Sequence, residues 1–218
     1  TTVLLTSSQD AGRSWTTPFA LNETPSPRIS DPRLWASDSL VQATWVDKPE
    51  RTPQTTRLEA AFLTLSGKGR KIQRELVQEM SDIKTLSYSV WDDGKQMGLT
   101  WMERHTRSPS VVRQRVTVRS GQISPGETST VAQSREGFHF AEFATSHRPD
   151  LVLMTEKKII TPPTLQACSQ IGNKSWECEK IHITSGSSDI LAPMLIAEEA
   201  ENLYRVIFHE VLFKIHIM

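Results

Sequence analysis

Three polar side chains could together form a binding pocket in this chain. Arg33, Tyr88 and Glu142 lie on short predicted strands that occupy corresponding places in successive copies of a repeat. A guanidinium, a phenol and a carboxylate that converge on one axis could form a polar pocket. The alternative is that each is an ordinary polar residue lining a solvated channel. We take the three as candidate binding residues.

Motifs for metal, nucleotide or hydrolytic chemistry are incomplete in this sequence. Residues 209–213, HEVLF, lack the second histidine of the zinc-protease motif, and residues 66–69, SGKG, lack the P-loop pattern. No G-x-S-x-G turn occurs, and the six histidines show no spacing typical of metal ligands. We therefore predict no catalytic residue, no metal site and no cofactor.

The two cysteines, Cys168 and Cys178, are placed for a disulfide bond. They lie at equal distances from residue 173, the centre of a predicted turn. On an antiparallel hairpin this symmetry puts them opposite one another, close enough for a cross-strand bridge. A disulfide would indicate an oxidising compartment. The alternative is two free buried thiols in a cytosolic protein, and a zinc site is disfavoured because no further ligand lies nearby.

Length and composition limit the classes of protein to which this chain could belong. The chain has 218 residues, enough for one large domain or two small ones, and 25 basic residues balance 25 acidic ones. This balance disfavours nucleic-acid binding, and no apolar run reaches the roughly 20 residues of a membrane helix. We expect a secreted or otherwise extracytoplasmic protein whose signal peptide was removed or was never part of this chain. Asn22 and Asn173 lie in N-x-[ST] triplets and are candidate glycosylation sites.

Residues 8–15, SQDAGRSW, form the most specific pattern in the chain. Asp10 favours a turn because its carboxylate accepts hydrogen bonds from nearby backbone N–H groups. Gly12 provides a positive φ at little steric cost. Ser14 can bond back across the turn, and Trp15 can cover it with a large ring. An ordinary surface turn beside a tryptophan is the alternative.

A repeat of about 53 residues organises the rest of the sequence. Apolar strands that end in charged residues occupy residues 40–47, 97–103, 151–156 and 203–210. Each follows another strand, at residues 32–36, 86–91, 140–144 and 192–197. Third strands are predicted at residues 58–65, 111–118, 163–169 and 211–218, and fourth strands at 74–78, 130–133 and 177–184. Four strands in each copy are typical of a β-propeller blade, whereas two packed sandwiches would lack a steady period.

Residues 169–176, SQIGNKSW, are an eroded copy of the octapeptide about three repeats later. They keep both serines and Trp176 but lack the aspartate and the glycine. The copy lies at the turn between a third and a fourth strand, which gives the octapeptide the same place in its own unit. Residues 73–80 could form two turns of helix, and we predict strand and loop there instead.

With every fixed position filled, SQDAGRSW resembles the Asp box, S-x-D-x-G-x-[ST]-W, of sialidase-like (BNR-repeat) β-propellers. The resemblance implies an all-β propeller of four-stranded antiparallel blades, with structural roles for Asp10, Gly12, Trp15 and Trp176. The family's enzymes hold a substrate carboxylate with three arginines, and use a tyrosine nucleophile assisted by a glutamate, with an aspartate as acid or base. No arginine triad can be assigned here, and residues 27–32, PRISDP, depart from the family's Arg-Ile-Pro motif.

The repeat begins and ends partway through a blade. We therefore predict an incomplete propeller, in which residues 1–218 form one β-propeller domain or part of one. The second half of a blade, three full blades and a partial blade are predicted at residues 1–24, 25–79, 80–135, 136–187 and 188–218. The two partial blades could close a ring of four, or a further chain or segment could complete a larger ring. Bare strand edges favour such a covering partner.

Three functions remain open from the sequence. The first is an exported, non-catalytic propeller that binds a glycan or a protein. The second is a glycoside hydrolase, similar to exo-sialidases, whose catalytic residues lie partly outside this chain. The third is a structural subunit of a larger complex. Three arginines with a Tyr–Glu pair at the axis would favour the enzyme, and a large apolar face would favour the subunit.

Overall fold

The computed structural model describes residues 1–36, 40–52, 54–66, 69–92, 96–120, 122–145, 150–158, 161–172, 175–184, 188–198 and 203–212. Within these ranges the regular structure is entirely β, and no helix occurs. The strands in chain order are β1 (Leu4–Leu5), β2 (Phe19–Ala20), β3 (Ile29–Ala36), β4 (Leu40–Asp47), β5 (Thr55–Ser66), β6 (Gly69–Ser81), β7 (Ile83–Asp92), β8 (Gln96–His105), β9 (Val111–Ser120), β10 (Gln122–Gln133), β11 (His139–Thr145), β12 (Leu151–Lys158), β13 (Thr161–Ile171), β14 (Ser175–Ile183), β15 (Ser188–Glu198) and β16 (Leu203–Leu212).

Strands that follow one another along the chain pair with one another, so each sheet is an antiparallel meander. Three sheets have four strands each, in the orders β3-β4-β5-β6, β7-β8-β9-β10 and β11-β12-β13-β14. Two-stranded sheets are formed by β1 with β2 and by β15 with β16. Short connections enforce antiparallel neighbours, because a parallel pair needs a long crossover. The prediction of an all-β chain with four-stranded antiparallel sheets is confirmed.

Two local predictions can be compared directly with the strands. Residues 73–80, where a helix was the alternative, belong to β6 and pair with β5. The prediction of a separate strand starting at Val211 is wrong at its start, because Val211 and Leu212 still pair with β15 as the end of β16. The remainder of that predicted strand, residues 213–218, lies outside the described residues.

The second strand of each four-stranded sheet is deeply buried. β4 and β8 bury almost all of their residues, and so does the centre of β12. Successive side chains of a strand point to opposite faces, so a strand buried at consecutive positions is covered on both faces. This double coverage explains why the alternation of apolar and polar residues in these segments is imperfect.

The chain divides into two compact units, Thr1–Ile83 and Lys84–Met218. The core of the first unit lies between the β1–β2 hairpin and the β3–β6 sheet, where Leu21 packs with Trp45. The core of the second unit lies between the β7–β10 and β11–β14 sheets and contains Met102. In both units, therefore, successive sheets pack against each other through buried apolar side chains.

Candidate functional site

The SQDAGRSW octapeptide closes the β1–β2 hairpin with a set of internal hydrogen bonds. The Ser8 hydroxyl donates to the Asp10 carboxylate at 2.8 Å and accepts from the Gly12 backbone N–H at 2.7 Å. The Asp10 carboxylate accepts from the backbone N–H and the hydroxyl of Ser14, at 2.8 and 2.6 Å. The indole N–H of Trp15 donates to the Gly12 carbonyl at 3.1 Å, which lays the ring against the turn. Each fixed position of the pattern thus makes a contact suited to its residue type.

The charge of Asp10 is stabilised by the contacts of this turn. Hydrogen bonds from the side chain and backbone of Ser14, and then from Ser8, lower the pKa of Asp10 to about 2. Gly12 has a φ of 86°, a left-handed conformation that other residues adopt only with strain. The turn uses the polar groups of its own side chains, and its role in this structure is to hold the hairpin.

The eroded copy of the octapeptide connects two strands that also carry the disulfide. Cys168 on β13 and Cys178 on β14 are register partners and form the predicted bridge. Trp176 packs against the core of the second unit, and its indole N–H donates to the Ser129 hydroxyl on β10 at 3.4 Å. The bridge fixes β14 to its own sheet, and the tryptophan fixes it to the preceding one.

The two candidate glycosylation sites differ in their surroundings. The Asn22 side chain is buried, accepts from the Val3 backbone N–H at 2.8 Å and donates to the Thr24 carbonyl at 2.7 Å. These bonds anchor the first residues of the chain to the end of the hairpin. Asn173 lies outside the described residues. Glycosylation at either position stays a prediction.

The three candidate binding residues are found on the first strands of their sheets. Arg33, on β3 of the first unit, is exposed and pairs with Asp31 at 3.5 Å. Tyr88, on β7 of the second unit, is only 1% exposed, so its phenol belongs to the core rather than to an open channel. Glu142 on β11 is half-buried, and its backbone N–H donates to the Thr155 hydroxyl at 3.0 Å. A pocket shared by the three stays a prediction.

A basic cleft of about 560 Å³ opens in the second unit. Its walls come from the start of β7, from the β8–β9 connection and from the β10–β11 connection. The lining is rich in positive and imidazole groups, namely Lys84, Arg104, Arg107, His105 and His139, alongside the carboxylate of Glu136. Sequence reasoning missed this basic cleft, although the RHTR run at residues 104–107 is a signal that could have indicated it.

Three cations of the basic cleft carry charge that the protein does not neutralise. Within the described part of the chain, Lys84, Arg104 and Arg107 form no ion pair and no side-chain hydrogen bond. In contrast, Arg113 donates to Glu103 at 2.9 Å, outside the lining of the cleft. Uncompensated charges that line one concave surface focus a positive potential, which attracts anions.

His105 is held in the cleft wall by a buried carboxylate. Its Nε2 lies 3.2 Å from Oε2 of Glu103, whose side chain is 3% exposed. The other oxygen of Glu103 accepts from the indole N–H of Trp101 at 2.8 Å and from Arg113 at 2.9 Å. A carboxylate fixed by two further donors can hold the imidazole in one orientation.

The positive charges around the same cleft affect the pKa of His139. Burial lowers the pKa of His139, and so do the charges of Arg104, Lys157 and Lys84. The ring is therefore neutral at pH 7 and keeps one N–H donor and one acceptor.

A second cleft, of about 300 Å³, lies in the first unit beside the β1–β2 hairpin. Burial and the neighbouring charge of Asp47 raise the pKa of Glu59, whose carboxylate accepts from the Trp45 indole at 3.0 Å. Arg74 at the same cleft pairs with Glu23 at 3.8 Å. Because basic groups here already have acidic partners, this cleft is less suited than the basic cleft to capture a charged ligand.

A buried carboxylate that recurs in each four-stranded sheet was also missed by sequence reasoning. Asp47, Glu103 and Glu156 lie near the ends of the second strands and are 8%, 3% and 3% exposed. Asp47 accepts from the Ser26 hydroxyl, and Glu156 accepts from the Arg135 backbone N–H at 3.3 Å. The sequence signal was the charged end of each apolar strand. Its burial was not predictable, because acidic residues are rarely buried unless paired.

The fold and the clefts define an all-β protein of successive antiparallel sheets that carries a disulfide hairpin and a concave basic surface. No known protein-family model matches the chain, and no curated protein shows significant sequence similarity to it. Among the described residues, no helix has the length and apolar character to cross a membrane, and no cluster of His, Cys, Asp or Glu could hold a metal ion. Function must therefore be inferred from the geometry of this chain.

Proposed function

We propose that the chain is all or part of an exported, non-catalytic β-propeller of the sialidase-like kind, which binds a glycan or a protein. The observation that carries this proposal is the octapeptide hairpin, in which Ser8, Asp10, Gly12, Ser14 and Trp15 bond to one another. The eroded copy of the octapeptide occupies the corresponding turn between β13 and β14. Successive four-stranded antiparallel meanders are the plan of propeller blades.

The packing of successive sheets supports a propeller rather than two sandwiches. In the second unit, Trp176 bonds from β14 to Ser129 on β10, the outer strand of the preceding sheet. In the first unit, Arg74 on β6 donates to the Leu21 carbonyl, next to β2. In both cases the fourth strand of one sheet contacts the outer strand of the preceding sheet or the residue that follows that strand. A steady relation of this kind is expected between propeller blades.

The burial of Tyr88, one of the chain's two tyrosines, disfavours it as the nucleophile of the glycoside hydrolase alternative. A tyrosine nucleophile must reach its substrate, whereas the phenol of Tyr88 is in the core at 1% exposure. The basic cleft, in contrast, presents several open cationic donors, which suit the binding of an anion. Binding is the simplest use of such a surface.

The Cys168–Cys178 disulfide supports export, because structural disulfides persist in oxidising compartments and are rare in the cytosol. Trp15 is 63% exposed, whereas Trp176 at the corresponding place is covered by the preceding sheet. This difference supports a further chain or segment that completes the propeller over the first hairpin.

A glycan array and a fluorogenic sialoside assay on the purified chain test the proposed function together. We expect binding of a glycan, or capture of a secreted protein, without turnover of the sialoside. Turnover that follows the chain through successive purification steps would contradict a non-catalytic role and favour the hydrolase. Absence of any glycan or protein ligand would overturn the binding function and favour a structural subunit.

A further inference from the structure

We infer that the basic cleft of the second unit binds the anionic group of an acidic saccharide, a sulfate or a carboxylate carried on a sugar. This assignment rests on the glycan-binding function proposed above, and it adds the site and the chemical class of the ligand. Neither the motif nor the repeat indicates this surface, because the RHTR run lies at the end of β8 and in the connection that follows it.

The cations of the basic cleft supply the recognition. Arg104 and Arg107 come from the end of β8 and the following connection, and Lys84 comes from β7. Their donors are uncommitted to other side chains within the described part of the chain. A guanidinium presents a planar fork of N–H donors that matches the paired oxygens of a carboxylate or a sulfate. Two guanidiniums and one ammonium at one concavity exceed what a neutral sugar needs.

The histidines of the cleft add ring nitrogens that can form hydrogen bonds with a ligand. His105 is oriented by Glu103, and the neutral ring of His139 retains one N–H donor. The negative charge of Glu103 does not repel a ligand strongly, because Arg113 bonds to this buried carboxylate. Glu136 is the acidic residue of the lining, so positive charge prevails at the cleft surface.

The size of the basic cleft favours a saccharide over an acidic protein. Its volume of about 560 Å³ falls in the range of small-ligand sites, which run from about 300 to 1,000 Å³. A protein partner would instead need a broad interface of about 800 Å² on each side. A short acidic oligosaccharide can place its charged group among the cations while its ring fills the remaining volume.

Calorimetric titration of the full 218-residue chain at neutral pH and low salt tests the assignment. The probes are a heparin tetrasaccharide, which carries sulfates, a hyaluronan tetrasaccharide, which carries only carboxylates, and neutral maltotetraose. We expect one or both acidic probes to bind, maltotetraose not to bind, and added salt to weaken binding. The double variant Lys84→Ala, Arg107→Ala should raise Kd by about tenfold or more, since each lost contact is charge-assisted.

A matched control removes the same charges elsewhere. Lys48→Ala with Arg51→Ala deletes one exposed lysine and one exposed arginine of the first unit and should leave Kd within about twofold. The charge-preserving pair Lys84→Arg, Arg107→Lys should retain most of the affinity. Thermal unfolding of each variant separates loss of binding from loss of fold.

The outcomes distinguish this assignment from the function on which it rests. Equal weakening by both alanine pairs would overturn it, because only net charge would then matter. Binding of maltotetraose that the cleft variants leave unchanged would also overturn it, yet would keep the glycan-binding function. Cleft-dependent binding of polyglutamate, with no saccharide bound, would replace the saccharide with an acidic peptide. Absence of binding to all three saccharides would overturn the assignment, whereas the glycan array decides whether the glycan-binding function stands.

Discussion

Asp10 and Glu103 are both carboxylates held by several donors, yet one lies in an exposed turn and the other in a core. Around Asp10 the donors of Ser14 replace water and stabilise the charged form. Around Glu103 the core requires the donors of Trp101 and Arg113, because a buried charge without partners would destabilise the fold. The same residue chemistry thus shapes a turn in one place and supports the wall of the basic cleft in the other.

Replacing Asp10 by asparagine is expected to destabilise the chain at neutral pH and to change its response to acid. The pKa of Asp10 falls from 3.8 to about 2 on folding. The stability that it contributes is therefore present above pH 3.8 and is lost as the pH falls toward 2. The difference in thermal midpoint between wild type and Asp10→Asn should shrink across that window. A difference that stays constant down to pH 2 would contradict the proposed charge stabilisation.

His139 should make the second unit sensitive to mild acid. Its pKa is lowered on folding, first by burial and then by the positive charges of Arg104, Lys157 and Lys84. Its contribution to stability is present above the usual pKa of 6.5 and is lost as the pH falls through the lowered value. Compared with His139→Gln, which does not titrate, the wild type should lose stability below pH 6.5. Urea unfolding of both proteins on either side of that pH measures the effect, and parallel pH profiles would refute it.

At the scale of strands, the sequence predicts where apolar segments lie better than where strands end. β6 is 13 residues long and mostly polar. Its backbone hydrogen bonds to β5 do not depend on apolar side chains, so the hydrophobic pattern does not show where this strand begins and ends. The basic cleft could not be predicted because it joins Lys84, residues 104–109 and residues 136–139, which are distant in the chain. The disulfide could be predicted, because both cysteines belong to one hairpin with a defined centre.

Gly98 on β8 marks a place where two strands leave no room for a side chain. A Cβ there would overlap the ring of Trp91 and would lie 2.8 Å from the Arg115 carbonyl oxygen. The indole of Trp91 is buried and bonded to Thr100, so it cannot move away freely. Gly98→Ala should lower the free energy of unfolding by about 3 kcal/mol.

A second glycine provides the control for Gly98. Gly172 has a φ of 63°, but a Cβ at that position would meet no atom within 4 Å. Gly172→Ala should therefore cost only the strain of the left-handed backbone, about 1 kcal/mol. Chemical denaturation of the two variants compares the effects. A smaller loss for Gly98→Ala than for Gly172→Ala would refute the steric explanation.

The Cys168–Cys178 disulfide should stabilise the second unit chiefly through the unfolded chain. The two cysteines are 10 residues apart, and closing a loop of that length removes entropy worth about 2–3 kcal/mol in the chain-entropy treatment. The double variant Cys168→Ala, Cys178→Ala should lose about that free energy of unfolding. Urea unfolding with and without reductant measures it. Reductant should destabilise the wild type and leave the variant unchanged, and an unaffected wild type would contradict the prediction.

At the scale of the whole molecule, the outer strands of the sheets are protected against pairing with other chains. β6 carries both basic and acidic residues, β10 contains Pro125 and Gly126, and β14 carries glutamates and a lysine. Charged residues and proline on an edge strand oppose its extension by another strand. Open meanders of this kind can therefore stay separate until a specific partner or segment covers them.

Net charge should decide how readily the whole chain precipitates. Its basic and acidic residues cancel, and the isoelectric point is close to 7.0. Near neutral pH the molecules therefore lack net repulsion, and the exposed side chains of Leu4, Trp15 and Ile183 provide apolar contact surface. We expect a solubility minimum near pH 7, measured by polyethylene glycol precipitation across the pH range.

A charge-reversal variant separates the two causes of precipitation. Lys48→Glu with Arg51→Glu lowers the net charge by about four and leaves the apolar surface unchanged. If net charge controls solubility, the minimum moves to lower pH and the solubility at neutral pH rises. If the minimum stays in place, the exposed apolar side chains control association. In that case substitution of Trp15, the most exposed of the three, should raise solubility at every pH.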